Sequence, residues 1–307
     1  MKNSMLEERI RSIAAEQSID TIGFTDAAPF TDYQWKDSKR IDPANTVKKA
    51  SSLIITGIYI GGMTLPAWDD PALGRTSRLY LSEFFLDVIK PLKPLRDHLR
   101  AEGYRAEICD SSREETSSIP LKLAAVRAGL GWQGKHTLLI TRKFGTFLAL
   151  GGIITDAELE PNTKIEKNRC GHCSQCREAC PMGALHTEFS LDTRKCLSYQ
   201  LQVEGLSDEG EKKLGNRVGD CEVCQQTCPW NRGHLLHPLE TPWTLEFRKR
   251  IPHYEKLFSL EALTRMSEEE YLKQLGRFNT DIPFDIFKRN VTIAYRHAQN
   301  KTRSSAP

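Results

Sequence analysis

Eight of the nine cysteines in this 307-residue chain fall into two consecutive runs. The first reads Cys170-x2-Cys173-x2-Cys176-x3-Cys180-Pro181. The second reads Cys221-x2-Cys224-x3-Cys228-Pro229, with Cys196 upstream in the place of its first thiolate. Thiolates at this spacing bind iron–sulfur clusters, and in two-cluster proteins the fourth cysteine of each run ligates the other run's cluster. Cys170, Cys173, Cys176 and Cys228 are therefore assigned to one [4Fe–4S] cluster, and Cys180, Cys196, Cys221 and Cys224 to a second. A zinc site uses two Cys-x2-Cys pairs about a dozen or more residues apart, and its four tetrahedral positions leave no use for the third close thiolate. A disulfide framework fits neither the chain length nor its charged start, Lys2, Glu7, Glu8, Arg9 and Arg11, which reads as an amphipathic helix and not as a signal peptide. Two adjacent low-potential clusters carry electrons.

Something must hold those cysteines and receive what they carry. A ferredoxin needs only a fraction of this length, and domain-size statistics allow about two or three domains. No apolar run approaches the ~20 residues of a membrane span. Reduced thiolates and oxygen-sensitive clusters point to the cytoplasm. The net charge of +3 neither demands nor excludes a polyanionic partner.

Residues 1–164 read as an α/β domain. Ile10, Ile13 and Ala14 mark a helix feeding a strand near residues 19–24, and residues 53–60 (LIITGIYI) form a buried strand. A helix is expected over residues 81–102 with Gly103 as its stop, a strand over 104–110, and a helix over 120–128 closed by Gly129. Two further strands are expected over 138–141 and 147–155, an alternation that argues for an α/β sheet. The cluster domain then spans 165–236, and residues 237–307 carry helical spacing, as in Leu260, Leu263, Met266 and Tyr271, Leu272, Leu275. Arg194, Lys195, Lys212, Lys213 and Arg217 could face phosphates, but Glu204, Asp208, Glu209 and Glu211 stand among them.

The segment Ala128-Gly-Leu-Gly-Trp-Gln-Gly-Lys-His-Thr-Leu-Leu-Ile140, then Gly151-Gly-Ile-Ile-Thr-Asp-Ala-Glu-Leu159 and the double cysteine run, resembles the epoxyqueuosine reductase family. So do Leu197-Ser-Tyr199, Cys228-Pro-Trp-Asn231 and the helix Lys288-Arg-Asn-Val-Thr-Ile-Ala294. The resemblance implies an α/β (α+β) cobalamin-binding core like that of reductive dehalogenases, with an inserted ferredoxin-like double [4Fe–4S] domain and C-terminal helices. It implies an oxidoreductase that reduces epoxyqueuosine in tRNA to queuosine, using two [4Fe–4S] clusters, cobalamin and an external low-potential electron donor. A soluble cytoplasmic monomer is expected. No Asp-x-His-x-x-Gly is present, so a corrinoid would be bound without that histidine ligand to cobalt.

For the corrinoid, the resemblance points to Gly129, Gly131, Trp132, Gly134 and Lys135. The glycines read equally as helix stop and turns, Trp132 as core, and Lys135 as an exposed lysine. The family's Asp-Thr-Gly-Pro segment, with its implied proton donor, is replaced here by Cys109-Asp-Ser-Ser-Arg-Glu-Glu-Thr-Ser-Ser-Ile-Pro120. Counted from Gly103, Asp110 lies beside that position; counted back from Gly129, Glu115 falls on it. Asp110 and Glu115 are thus the candidate acids, Asp110 first because it ends an expected strand. Asp110 also reads as a turn residue, Glu115 as half of a solvated pair with Glu114, and Cys109 as a small buried hydrophobe. Glu83-Phe-Phe-Leu86 and Gly134-Lys135-His136 depart from the family as well, so two alternatives stay open: a related reductase of a small molecule, and a double-cluster electron-transfer protein without corrinoid.

Overall fold

The computed structural model describes residues 2–31, 42–83, 89–109, 119–162, 165–275 and 282–304. Asp110 and Glu115 lie outside the described residues, as does the middle of the helix expected over 81–102. The chain divides into two compact units that interleave along the sequence. One comprises Met1–Tyr59, Asp87–Gly134 and Leu138–Gly171; the other comprises Ile60–Leu86, Lys135–Thr137 and His172–Pro307. The cluster-domain residues from His172 on and the C-terminal helices thus share one unit.

The first unit is built on strands β1 (Thr21–Asp26), β2 (Ser52–Tyr59), β3 (Ala106–Cys109), β4 (Trp132–Gln133), β5 (Leu139–Ile140) and β6 (Leu148–Thr155). Four of them form one sheet in the order β1-β2-β6-β3, and every pair is antiparallel. Helix and strand positions follow the sequence pattern, but the antiparallel pairing does not. Ligands gather beyond the carboxyl ends of parallel strands, so that rule no longer ranks Asp110 above Glu115.

All eight residues of β2 are buried. An antiparallel sheet commonly leaves one face wet, so both faces of this strand must be covered. Neighbouring side chains on a strand point to opposite faces, and β1 shows what covers each. The Arg11 guanidinium, from the helix Lys2–Glu16, lies 4.5 Å from the Phe24 ring centroid on one face. On the other, the Ala128 carbonyl, just past the helix Leu121–Arg127, comes within 2.5 Å of where a Cβ on Gly23 would stand. Glycine there is what lets the helix end approach.

That helix ends in a Schellman motif. Gly129 takes φ +71°, its N–H donates to Val126 O at 3.0 Å, and the Leu130 N–H donates to Ala125 O at 3.0 Å. The chain then enters a small hairpin, in which β5 falls within the strand expected over 138–141 and β4, only two residues long, was missed: β4 pairs with β5, Trp132 opposite Ile140. At Gly131 an added Cβ would lie 2.0 Å from the Ile140 carbonyl oxygen.

The second unit is a set of short helices and loops. Its longest element, the helix Phe284–Ser304, turns Phe287, Asn290, Val291 and Ala294 inward at i, i+3, i+4, i+7 spacing, all at 0% exposure. It packs on the helices Leu260–Arg265 and Asp208–Leu214. Tyr271 stacks its ring 4.7 Å from Phe287 and donates its hydroxyl to Ile282 O at 2.7 Å. Leu272, one residue on, faces solvent.

The hairpin gives the first prediction. Gly131→Ala drives a methyl into a backbone carbonyl that cannot yield without breaking the β4–β5 pairing, and it destabilises the fold by about 3 kcal/mol or more. Chemical denaturation followed by far-UV circular dichroism reads the loss; an unchanged midpoint refutes the close approach.

Candidate metal centre

None of the nine cysteines forms a disulfide. The two runs fold alike. In the first, the helix Gln175–Glu178 carries Cys176, its N-terminal N–H groups at Arg177 and Glu178 both donating to Ser174 O at 2.8 and 3.0 Å. In the second, the helix Val223–Gln226 carries Cys224, and Gln225 and Gln226 donate to Glu222 O at 2.9 and 3.0 Å. Each helix closes the same way, Cys180 N–H reaching Arg177 O at 3.3 Å and Cys228 N–H reaching Gln225 O at 3.2 Å, before Pro181 or Pro229 ends it. The two helices pack on each other, which brings the runs together.

Their thiols respond to this arrangement. Burial pushes the Cys221 thiol up to about 11, with Cys196 adding to the shift and Arg217 opposing it. Burial also raises Cys196, with Cys180 contributing, and raises Cys224 well above its ordinary value, with Cys221, Cys196, Cys180 and Cys176 contributing. Cys180 and Cys176 belong to the first run in sequence, yet both act on Cys224 of the second, and Cys180 acts on Cys196, so thiols of the two runs lie close enough to interact. Among the described residues no three His, Cys, Asp or Glu side chains converge on a single ion. Eight thiols in two runs, on loops joined by packed helices, are the donor chemistry that two [4Fe–4S] clusters take. Cys170 lies in the first unit, half-buried, its N–H donating to Asn168 Oδ1 at 2.9 Å.

Cys221 sits between two buried carboxylates. Glu222 accepts from both the side chain and the backbone N–H (2.9 Å) of Arg78, and from Gln226 Nε2 at 2.8 Å; Arg78 Nε also donates to Gly61 O at 3.0 Å. Burial raises the Glu222 pKa while Arg78 opposes. Asp220 is raised by burial too, opposed by hydrogen bonds from Ser198 and Ser77, and it accepts the Cys221 N–H at 2.6 Å. Sequence reasoning missed these residues, because Arg78 and Glu222 lie far apart in the chain and neither carries a local signal. After Cys228-Pro-Trp, Asn231 is buried and donates to Gln225 O at 2.7 Å, tying the motif's end back to its helix.

The residues expected to meet a corrinoid are placed less favourably. Trp132 is core, at 1% exposure. Lys135, expected at the surface, is 6% exposed and pairs with Glu188 at 2.7 Å. Lys135 first, with Arg177 and His172, holds the Glu188 carboxyl below its usual range. Arg177 also donates to Leu185 O at 3.1 Å and His186 O at 2.7 Å, so the pair fixes the loop after the first run. Packing accounts for Gly129 and Gly131, and Gly134 donates its N–H to Leu138 O at 2.8 Å. Trp132 is thus held in the core of its unit and Lys135 in an ion pair within the other. Cys109 is buried at the end of β3, opposite Gly152. Of the basic residues, Lys195 and Lys213 pair with Asp192 and Glu209, and Arg217 donates to Leu214 O.

Two outcomes follow from this geometry. Arg78→Met leaves Glu222 buried without its counter-charge and destabilises the second unit by about 3–5 kcal/mol, read by denaturation under anaerobic conditions. Cys228→Ser and Cys224→Ser each retain about four irons but leave different clusters, so the reduced proteins show different EPR spectra. Identical spectra would mean that each run binds its own cluster.

Comparison with known proteins agrees with this reading. Residues 169–231 match the family described as 4Fe-4S double cluster binding domain. The epoxyqueuosine reductase of Bacillus subtilis (strain 168) is 30% identical over 236 residues, which cover 68% of this chain and 59% of that one. The chain spans about three-fifths of the length of the curated relatives it matches. Among solved structures, an epoxyqueuosine reductase crystallised with an epoxyqueuosine-modified tRNA-Tyr stem loop superposes with a TM-score of 0.78 at 25% identity, over 97% of this chain and 83% of that one. A reductive dehalogenase discussed for B12-dependent dehalogenation shares the fold, with a TM-score of 0.53 at 19% identity over 92% of this chain and 36% of the other. In sequence and in fold, the chain is a relative of the epoxyqueuosine reductases with a double-cluster [4Fe–4S] domain.

Proposed function

We propose that the chain is a cobalamin- and iron–sulfur-dependent reductase that converts epoxyqueuosine in tRNA to queuosine. The observation that carries this reading is the superposition, over 97% of the chain, on an epoxyqueuosine reductase holding a modified tRNA stem loop. The crossed cysteine grouping supplies the electron path. Opening an epoxide to an alkene takes up two electrons and two protons and releases water, and two [4Fe–4S] clusters pass electrons one at a time. Cobalamin, when bound, supplies a strongly reducing metal centre at the substrate carbon. The chain's own part is to hold the clusters within reach, orient the substrate and deliver a proton from Asp110 or Glu115. An external low-potential protein donates the electrons, and the chain works as a cytoplasmic monomer. Among the described residues no helix is long and apolar enough to cross a membrane.

The departure of the Cys109–Pro120 segment from the family pattern favours one second reading, a related reductase acting on a small molecule. Anaerobic purification with added cobalamin, followed by metal analysis, yields about eight irons and one cobalt per chain under either reading. Iron without cobalt leaves an electron-transfer protein. Incubation with epoxyqueuosine-containing tRNA and a chemical reductant then yields queuosine, read by mass spectrometry of the nucleosides; no product with cobalt bound supports the small-molecule reading. Removing the proton donor lowers turnover about 10²–10⁴-fold, so Asp110→Asn and Glu115→Gln identify which acid it is.

A further inference from the structure

The Lys288-Arg289-Asn290 stretch on the C-terminal helix has no part in the chemistry above. Asn290 occupies a place in the buried stripe that helical spacing would give to an apolar residue. Burying an amide without hydrogen bonds costs about 1–3 kcal/mol, so its bonds indicate what it is for. Nδ2 donates to Leu201 O at 2.8 Å and to Val218 O at 3.0 Å. Oδ1 accepts from Arg289, Nε at 3.2 Å and Nη2 at 2.9 Å. Arg289 also donates to Val203 O at 2.9 Å and Gln200 O at 3.0 Å. Lys288 turns elsewhere, its ammonium on Thr264 O at 2.7 Å and Met266 O at 3.0 Å.

All four carbonyls bound by Arg289 and Asn290 lie between Cys196 and Cys221, and both ends of that interval are tied to a cysteine. Gln200 N–H donates to Cys196 O and Leu201 N–H to Leu197 O, each at 3.0 Å, so the bound carbonyls close the helical turn that begins at Cys196. The Gln200 side chain donates to Arg194 O at 2.9 Å, on the other side of that cysteine. Val218 stands shortly before Cys221, with its N–H already bound to Arg75 O at 2.9 Å, and Asn290 fixes its carbonyl. Between these points Gly205 and Gly215 take φ +77° and +66°, two turns whose freedom a cross-link must offset.

We propose that Arg289 and Asn290 are positioning residues for the second [4Fe–4S] cluster, a clamp tying the Cys196 segment to the Cys221 segment so that both thiolates reach one cubane. The clamp rests on the double-cluster domain alone and not on what the clusters reduce, so it stands or falls separately from the substrate. The test uses the full chain, purified anaerobically as Asn290→Ala, Arg289→Met and Val291→Ala. Val291 is equally buried on the same helix but bonds to neither segment, so its variant reports the cost of a cavity. Asn290→Ala retains about four of eight irons and keeps the EPR signal of the first cluster. Arg289→Met retains both clusters, but the second bleaches in air several-fold faster than the first, and Arg289→Lys slows that bleaching. Val291→Ala lowers Tm and keeps all eight irons. The proposal is overturned if Asn290→Ala keeps eight irons with unchanged air lifetimes, if both clusters are lost equally, or if Val291→Ala shows the same selective loss. Should Asn290→Ala prove insoluble, the Arg289 variants decide on the same iron counts and lifetimes.

Discussion

Thiols that must ionise where charge is expensive set the terms for the second unit. Burial raises Cys196, Cys221 and Cys224, and each thiolate raises its neighbours further. Desolvation and mutual repulsion therefore both oppose the form that binds iron, and the metal must displace protons to bind. The energy of iron–sulfur bonding offsets this only if the protein holds thiolates from separate segments at fixed corners. The surrounding contacts supply that rigidity.

The cluster loops contain little regular structure, so their backbone carbonyls and N–H groups need partners from side chains. Arg78, Glu222, Asp220, Gln200, Arg289 and Asn290 fill that role, and each is a group that an apolar interior would not tolerate unbonded. The Arg78–Glu222 pair is weak evidence for stability, since buried ion pairs often do no better than hydrocarbon. Its value lies in direction: both Glu222 oxygens are committed, one to the backbone and one to the side chain of Arg78, with Gln226 on the latter as well. The residue between Cys221 and Val223 is thereby held by its side chain. Lys135, paired at 2.7 Å with Glu188, which also meets Arg177, serves the same end for the loop after the first run.

The wiring was legible in the sequence because cluster ligation is a local pattern, with spacing inside each run set by a single turn of helix. Helix ends at Gly103 and Gly129 were legible for the same reason, since a positive φ after a helix asks for glycine. Strand pairing was not: the 2.0-residue period of β2 and β6 is the same whichever way the partner runs. Nor was the Arg78–Glu222 pair, which joins residues 144 apart. Lys135 misled because surface is the usual place for lysine, and burial depends on a partner that the linear sequence does not mark. Asn290 entered only within the family resemblance, although a polar side chain in the helical stripe of Phe287, Val291 and Ala294 was a signal that could have marked it.

The longest departure from the family pattern is Cys109–Pro120, and its two ends are placed by the fold. Cys109 is pinned opposite Gly152 in the β3–β6 ladder. Leu121, which follows Pro120, comes within 2.9 Å of where a Cβ on Gly152 would stand, with Ile119 buried beside it. The segment thus leaves and rejoins the sheet at the same residue. Both ends are fixed by the packing of Cys109, Ile119 and Leu121, residues that flank the stretch in which the family pattern is lost. Around Cys196 and Cys221, by contrast, the carbonyls of Gln200, Leu201, Val203 and Val218 are each bound by a side chain of the C-terminal helix. Under the proposed function, the electron path and the candidate acids Asp110 and Glu115 therefore lie on separate stretches of sequence, and the two stretches can diverge independently.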